Sequence, residues 1–297
     1  MGYLLLLIAL LCGTTKGYCG KRASGLLQGY TGSTAGNLLR TTICTVIGFL
    51  LVLVNGSLAD LKLSLPAMAV CALSGISTAA SLLLWMVCVR KSAYVLMDVF
   101  WASGMLVPLI LCSTIYGESV APLQWLGIGL TLAAVLLMCA HHNSIKQKLT
   151  LSGVLLLLAT GFSSGITDFS QKMIVNSFPQ VSNAAFNFYT YAFAMTALAI
   201  TFLVLRIRLP QEGGDLASSF KKALPLLLIM AAALFGNSFF KTASAKYLTA
   251  AVLFPLSHGV ALIFSSTMAA IFFKEKPTGK SILALVLIFI AMLLINL

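Results

Sequence analysis

Residues 282 to 295 read "ILALVLIFIAMLLI", a run without a single polar side chain. Similar apolar runs of about 18 to 26 residues recur along the chain, and because a helix rises about 1.5 Å per residue, each can cross a hydrocarbon core of about 30 Å. They fall near 3–20, 38–58, 65–89, 92–115, 122–140, 151–173, 184–206, 223–243, 248–273 and 280–297. In lipid a backbone has to satisfy its own N–H and C=O groups, which leaves helices and closed barrels. Barrel strands alternate apolar and polar residues over about ten positions, and neither "LLLLIALL" nor "ILALVLIFIAMLLI" alternates. With 60% hydrophobic and 9% charged residues, the chain also has too few polar side chains to clothe a soluble globule. The expected fold is an all-α integral membrane protein with ten transmembrane helices.

The first run is not expected to be a cleaved signal. "MGYLLLLIALLCG" has no basic residue ahead of its apolar stretch, and Leu11 precedes Cys12 where a small residue is needed. The seven cysteines, Cys12, Cys19, Cys44, Cys71, Cys88, Cys112 and Cys139, all lie in apolar segments of the first half and never form C-x-x-C. They read as small apolar fillers, not as a disulfide frame or a metal site. The net charge of +12 is spread over short loops, with no basic domain to hold a duplex, so nucleic acid is not an expected partner. The expected partners are the lipid bilayer and a small molecule, and no oligomeric state is assigned. No P-loop occurs, so nucleotide chemistry is not expected, and no cofactor is called for.

Basic residues are retained on the cytoplasmic side of short loops. Thirteen follow odd-numbered segments, from Lys21 and Arg22 to Lys274, Lys276 and Lys280, against three after even-numbered ones, Lys62, Lys172 and Lys246. This bias places both termini outside the cytoplasm, in a multi-pass protein of the plasma (inner) membrane. "TIYGESVAPLQWLGIGL" and "IFFKEKPTGKSILALVL" occupy matching places in the two halves, sharing Glu118 and Glu275 but not the lysines. Aligning Ser92–Leu137 on Thr249–Leu294 gives nine identities. An odd-helix unit duplicated in one chain lies upside down in its second copy, so lysines record orientation and the glutamate records ancestry. The expected organisation is a five-helix repeat over 1–140, a connecting loop over 141–149, and an inverted repeat over 150–297.

Inverted repeats with kinked helices are the mark of secondary transporters. The closing stretch, "AKYLTAAVLFPLSHGVALIFSSTMAAIFFKEKPTGKSILALVLIFIAMLLI", resembles the last two helices of the drug/metabolite transporter superfamily, in particular its EamA-like ten-helix permeases. The resemblance implies two inverted five-helix bundles around a central cavity lined mainly by helices 1, 3, 4, 6, 8 and 9. It also implies transport of a small organic compound, from a range that runs from amino acids to drugs and sugar conjugates. Ala284 and Val286 stand where the fifth helix has Gly127 and Gly129, a departure that removes the glycine route to close packing from the tenth helix.

Charged groups inside spans need partners or water. Counted from the expected segment ends, Asp98 and Lys16 lie about 9 and 10 Å from the inner face, and Asp168 and Lys241 about 26 and 27 Å. Each pair is level, which fits two ion pairs acting as gates or coupling sites. The alternatives are static pairing, including Asp168 with Lys172 one turn on, and snorkelling to the headgroups. Arg40, near the start of its run, is expected at the interface. His258 is expected near the bilayer centre with no other ionisable group at its depth, three residues after Pro255, where an imidazole suits proton coupling or substrate recognition. A neutral histidine bonded to Ser81 or Ser238 is the alternative. Trp101, the repeat mate of His258, together with Asn237 and Gln171, completes the expected substrate site. Asp168, Gln171 and Lys172 share one helical face.

The expected activity is secondary active transport of a small organic metabolite or drug by alternating access, driven by a gradient such as protons. An intramembrane enzyme would need convergent carboxylates, an activated nucleophile or H-E-x-x-H, and a channel would need a charged ring or a filter-like Gly motif. The sequence offers none of these, so catalysis is not expected.

Overall fold

The structure, a computed structural model, describes residues 1–27, 29–55, 58–91, 104–141, 151–209, 216–272 and 279–296. Among the described residues there are ten α-helices, one short 3-10 turn and no strand. The helices are α1 (Gly2–Ser24), α2 (Gly29–Asn55), α3 (Leu65–Lys91), α4 (Leu106–Tyr116), α5 (Pro122–His141), α6 (Leu151–Ser177), α7 (Asn183–Arg208), α8 (Leu216–Ser244), α9 (Ala250–Phe272) and α10 (Gly279–Asn296). Six of them, α1, α2, α3, α7, α8 and α9, are long and apolar enough to cross a membrane, and α4, α5 and α10 carry shorter apolar stretches. Asp98, Trp101, Glu275 and most of the expected connector lie outside the described residues.

Several helices run past their apolar runs. α2 begins at Gly29, about two and a half turns before the expected residue 38, through "GYTGSTAGN". Hydropathy passes over this stretch because its side chains are small and polar, yet Thr31, Ser33, Thr34 and Asn37 are buried against protein. Ser33 and Thr34 donate to the carbonyls of Gly29 and Tyr30, at 3.0 and 2.8 Å, so the hydroxyls enter the interior already satisfied. α6 likewise runs on to Ser177, so Lys172, counted with the loop residues in the charge bias although it falls within the expected run, lies more than a turn inside the helix and is buried. α7 starts where Ser182 accepts from the Ala185 N–H at 3.2 Å, an N-cap. α4 ends at Gly117, whose φ of 62 is the left-handed conformation that favours glycine.

The most extensive packing joins helices of opposite halves: α1 on α8, α2 on α7, α3 on α6, and α5 on α10. α1 and α8 run antiparallel, Gly2 meeting Tyr247 and Leu248 at one end and Gly20 meeting Met230 toward the other. The α5–α10 contact is close despite Ala284 and Val286, because α5 supplies the glycine. A Cβ on Gly127 would come within 2.8 Å of the Ala291 carbonyl, and Ala284 is fully buried.

Two apolar clusters bracket the interior. One joins Leu6, Leu10, Leu109, Phe169 and Phe254 of α1, α4, α6 and α9, and the other joins Cys19, Trp85, Leu227 and Met230 of α1, α3 and α8. Between them the packing gives way to a polar cavity.

Candidate functional site

The cavity has a volume of about 160 Å³ and is lined by residues of α1, α2, α3, α6, α7, α8 and α9. A space of that volume holds a benzene-sized molecule, or about five waters. α2 and α7 enter the lining through Arg40 and Tyr191, which the sequence did not place there, and α4 contributes no described lining residue.

At the centre of the polar wall Asp168 of α6 is held from two sides. The Lys241 Nζ of α8 donates to its Oδ1 at 2.7 Å, and the His258 Nε2 of α9 lies 3.0 Å from its Oδ2. The carboxylate is 5% exposed and the imidazole 6%, so each group draws its solvation from the others. The Lys241 ammonium also lies 5.7 Å from the centre of the Phe254 ring.

His258 therefore does not stand alone at its depth, and its partner is neither Ser81 nor Ser238. The expectation failed because depths were counted from the wrong ends. With α6 ending at Ser177 and α9 beginning at Ala250, Asp168 lies nine residues below one end and His258 eight below the other, about 14 and 12 Å along their axes. Those ends meet at one end of the bundle, since Lys172 donates to the carbonyls of Ala245 and Leu248 that lead into α9.

Lys172 does not pair with Asp168. Its ammonium lies 3.3 Å from Glu118, just past α4. Glu118 also accepts from Asn176 Nδ2 at 3.3 Å and from the Ala250 N–H at 2.7 Å, capping α9. The sequence marked Glu118 as a relic of duplication, whereas the structure makes it a tie between α4, α6 and α9.

Asn237 lines the cavity, but its amide donates to the Ala9 carbonyl at 2.7 Å and so also fastens α8 to α1. Gln171 donates to Ser238 at 3.2 Å and leaves its buried Oε1 without a partner. Lys16 lines the cavity from α1, while the carboxylate expected beside it, Asp98, lies outside the described residues, as does Trp101. Trp85 of α3 supplies an aromatic wall that the apolar pattern of its helix did not single out. The small polar residues of α3 divide between packing and the cavity: Ser77 bonds Thr167 of α6 at 2.9 Å, while Thr78 and Ser81 line the cavity.

Arg40 is the largest departure from expectation. It is 1% exposed and not interfacial, because the added turns of α2 carry it about 16 Å into the helix. Its Nη1 donates to the Met230 sulfur at 2.8 Å, and its Nε and Nη2 have no partner among the described residues.

The second half of the chain, residues 151–297, matches the family model of the EamA-like transporter family. Over this half the chain belongs to that family. The EamA-like chain is accordingly a multi-pass integral membrane protein of a transporter family. A solved structure described only as a crystal structure of a protein shares its fold, with a TM-score of 0.72 and 15% identity, covering 99% of this chain and 95% of that one. None of the curated proteins compared matches the chain.

Proposed function

We propose that this EamA-like protein is a secondary active transporter that carries a small organic metabolite or drug by alternating access and couples it to protons at the Asp168–Lys241–His258 cluster. The observation that carries the reading is a carboxylate buried at mid-helix in a polar cavity, with a fixed cation on one oxygen and a titratable imidazole on the other. Buried ionisable groups inside membrane helices are costly and mark pathways and proton relays. With the imidazole neutral, Asp168 and Lys241 balance each other. One added proton leaves the cluster with unit positive charge in a dry site. That charge shifts the balance between two conformations only if the two hydrate or pair it differently, which is what coupling requires.

Support for alternating access comes from the packing. The pairs α1·α8 and α6·α3 exchange when each helix is replaced by the one five places on, as do α3·α7 and α8·α2, while α2·α7 and α5·α10 map onto themselves. Two inverted five-helix repeats rocking about a shared site would give such an exchange, which supports the reading. Glu118, tying α6 and α9, would hold one mouth shut, and the excess of basic residues after odd-numbered helices supports placing that mouth on the extracytoplasmic side.

Solute flux in proteoliposomes tests the reading against its rivals. Saturable flux with counter-exchange is expected. Ion current that follows the gradient without saturation would make the protein a channel, and a chemically altered product would make it an enzyme.

A further inference from the structure

Arg40 takes no part in the Asp168–Lys241–His258 cluster. It is held about midway along α2, 1% exposed, on the wall of the cavity. Among the described residues, its Nη1 reaches only a thioether, and its Nε and Nη2 reach nothing. The described carboxylates nearest the cavity and its closed mouth are already taken: Asp168 by Lys241 and His258, Glu118 by Lys172, Asn176 and the Ala250 N–H.

A guanidinium taken out of water with unmet donors is a standing cost, one that an apolar residue of similar volume would remove. Retention of such a group calls for an acceptor that comes and goes. Met230 marks where that acceptor sits. Its sulfur is a weak acceptor on an unbranched, easily rotated side chain that also lines the cavity, so its withdrawal opens the guanidinium to whatever occupies the space. Arginine's planar fork fits the paired oxygens of a carboxylate or phosphate. The electrostatics agree. Among the described lining residues Asp168 is the one carboxylate, and Lys241 neutralises it, so the charge of Arg40 is left for a ligand to balance.

We propose that Arg40 anchors an oxyanion, a carboxylate or phosphate group, on the transported compound. The inference rests on the transport reading and narrows it: the cargo is an anion or zwitterion small enough for about 160 Å³, held by Arg40 while the Asp168 cluster carries the proton.

The test uses the full-length protein in phosphatidylcholine nanodiscs, titrated with inorganic phosphate, succinate, succinamide and putrescine. At least one of the two anions is expected to bind saturably and raise the melting temperature. Arg40→Lys should weaken that binding about tenfold, and Arg40→Met should abolish it while leaving the unliganded protein at least as heat-stable as the wild type. A purely structural arginine would give the opposite, an Arg40→Met variant that melts lower. Binding of neither anion, or anion binding unchanged in Arg40→Met, overturns the anchor. Stabilisation that depends on Arg40 but responds only to added phosphatidylglycerol assigns the oxyanion to a lipid headgroup and likewise overturns it. Flux separates this proposal from the one beneath it. Saturable flux confined to neutral or cationic solutes and unaltered in Arg40→Met removes the anchor and leaves the transporter, whereas Arg40-dependent anion binding with no saturable flux leaves the anchor and removes the transporter.

Discussion

Asp168 and Arg40 are both charges buried in the same cavity wall, and they are treated in opposite ways. Asp168 has a protein donor on each oxygen, Lys241 at 2.7 Å and His258 at 3.0 Å. Arg40 has a sulfur at 2.8 Å and two donors facing no acceptor. The first group has its partners within the protein, so the proposed change to it arrives as a proton. The second has donors unmet among the described residues, and the proposal completes it with a ligand. The pair teaches that burial alone does not define a site residue, and that the set of partners separates a coupling group from a binding group.

Removing each charge in turn breaks or sharpens this contrast. Asp168→Ala strands Lys241 and His258 without an acceptor, and the largest effect is expected here: a loss of about 3–5 kcal/mol, as for other buried pairs deprived of one member, with flux abolished. Adding Lys241→Met should recover part of that loss, and thermal melts of the single and double variants measure the coupling. Arg40→Met is expected to move stability the other way, a gain of about 1–4 kcal/mol in the same melts. Equal losses from both substitutions would erase the distinction. His258→Gln keeps a hydrogen bond to Asp168 but cannot titrate near neutrality, so a cost of no more than about 1–2 kcal/mol is expected. Exchange should survive while accumulation against a gradient fails, as flux assays with and without an imposed pH step will read. Smallest, and outside the cavity, is Ser182→Ala at the start of α7, which should cost about 1 kcal/mol of stability and leave flux unaltered.

The fold was legible because lipid makes apolar length the dominant signal. The expected runs and the helices agree in order along the chain, and the disagreements lie at ends where small polar residues are buried against protein instead of lipid. At the start of α2 this hid about two and a half turns and moved Arg40 from the headgroup region to the middle of a helix. At the end of α6 it hid the last turn and with it the shared height of Asp168 and His258. Lys241 and Asp168 were readable as level even though the ends moved unequally, α6 running four residues past its expected end and α8 one. The roles of Glu118 and Trp85 depend on which helices meet, which a hydropathy profile does not carry. One signal for Arg40 does stand in the sequence: the 17 residues from Ala23 to Leu39 that precede it carry no charge, which is unusual for a headgroup anchor.

Proton movement tied to solute movement tests the central claim most directly. Proteoliposomes loaded with a pH-sensitive dye and challenged with a panel of small carboxylates, phosphates, amines and neutral metabolites report coupling whichever compound proves to be the cargo. The account predicts that at least one class of anionic or zwitterionic solute triggers saturable proton flux through the wild-type protein. It also predicts that Asp168→Asn abolishes this proton flux. Solute accumulation by Asp168→Asn with wild-type proton flux, or no solute that moves protons through the wild-type protein, would contradict it.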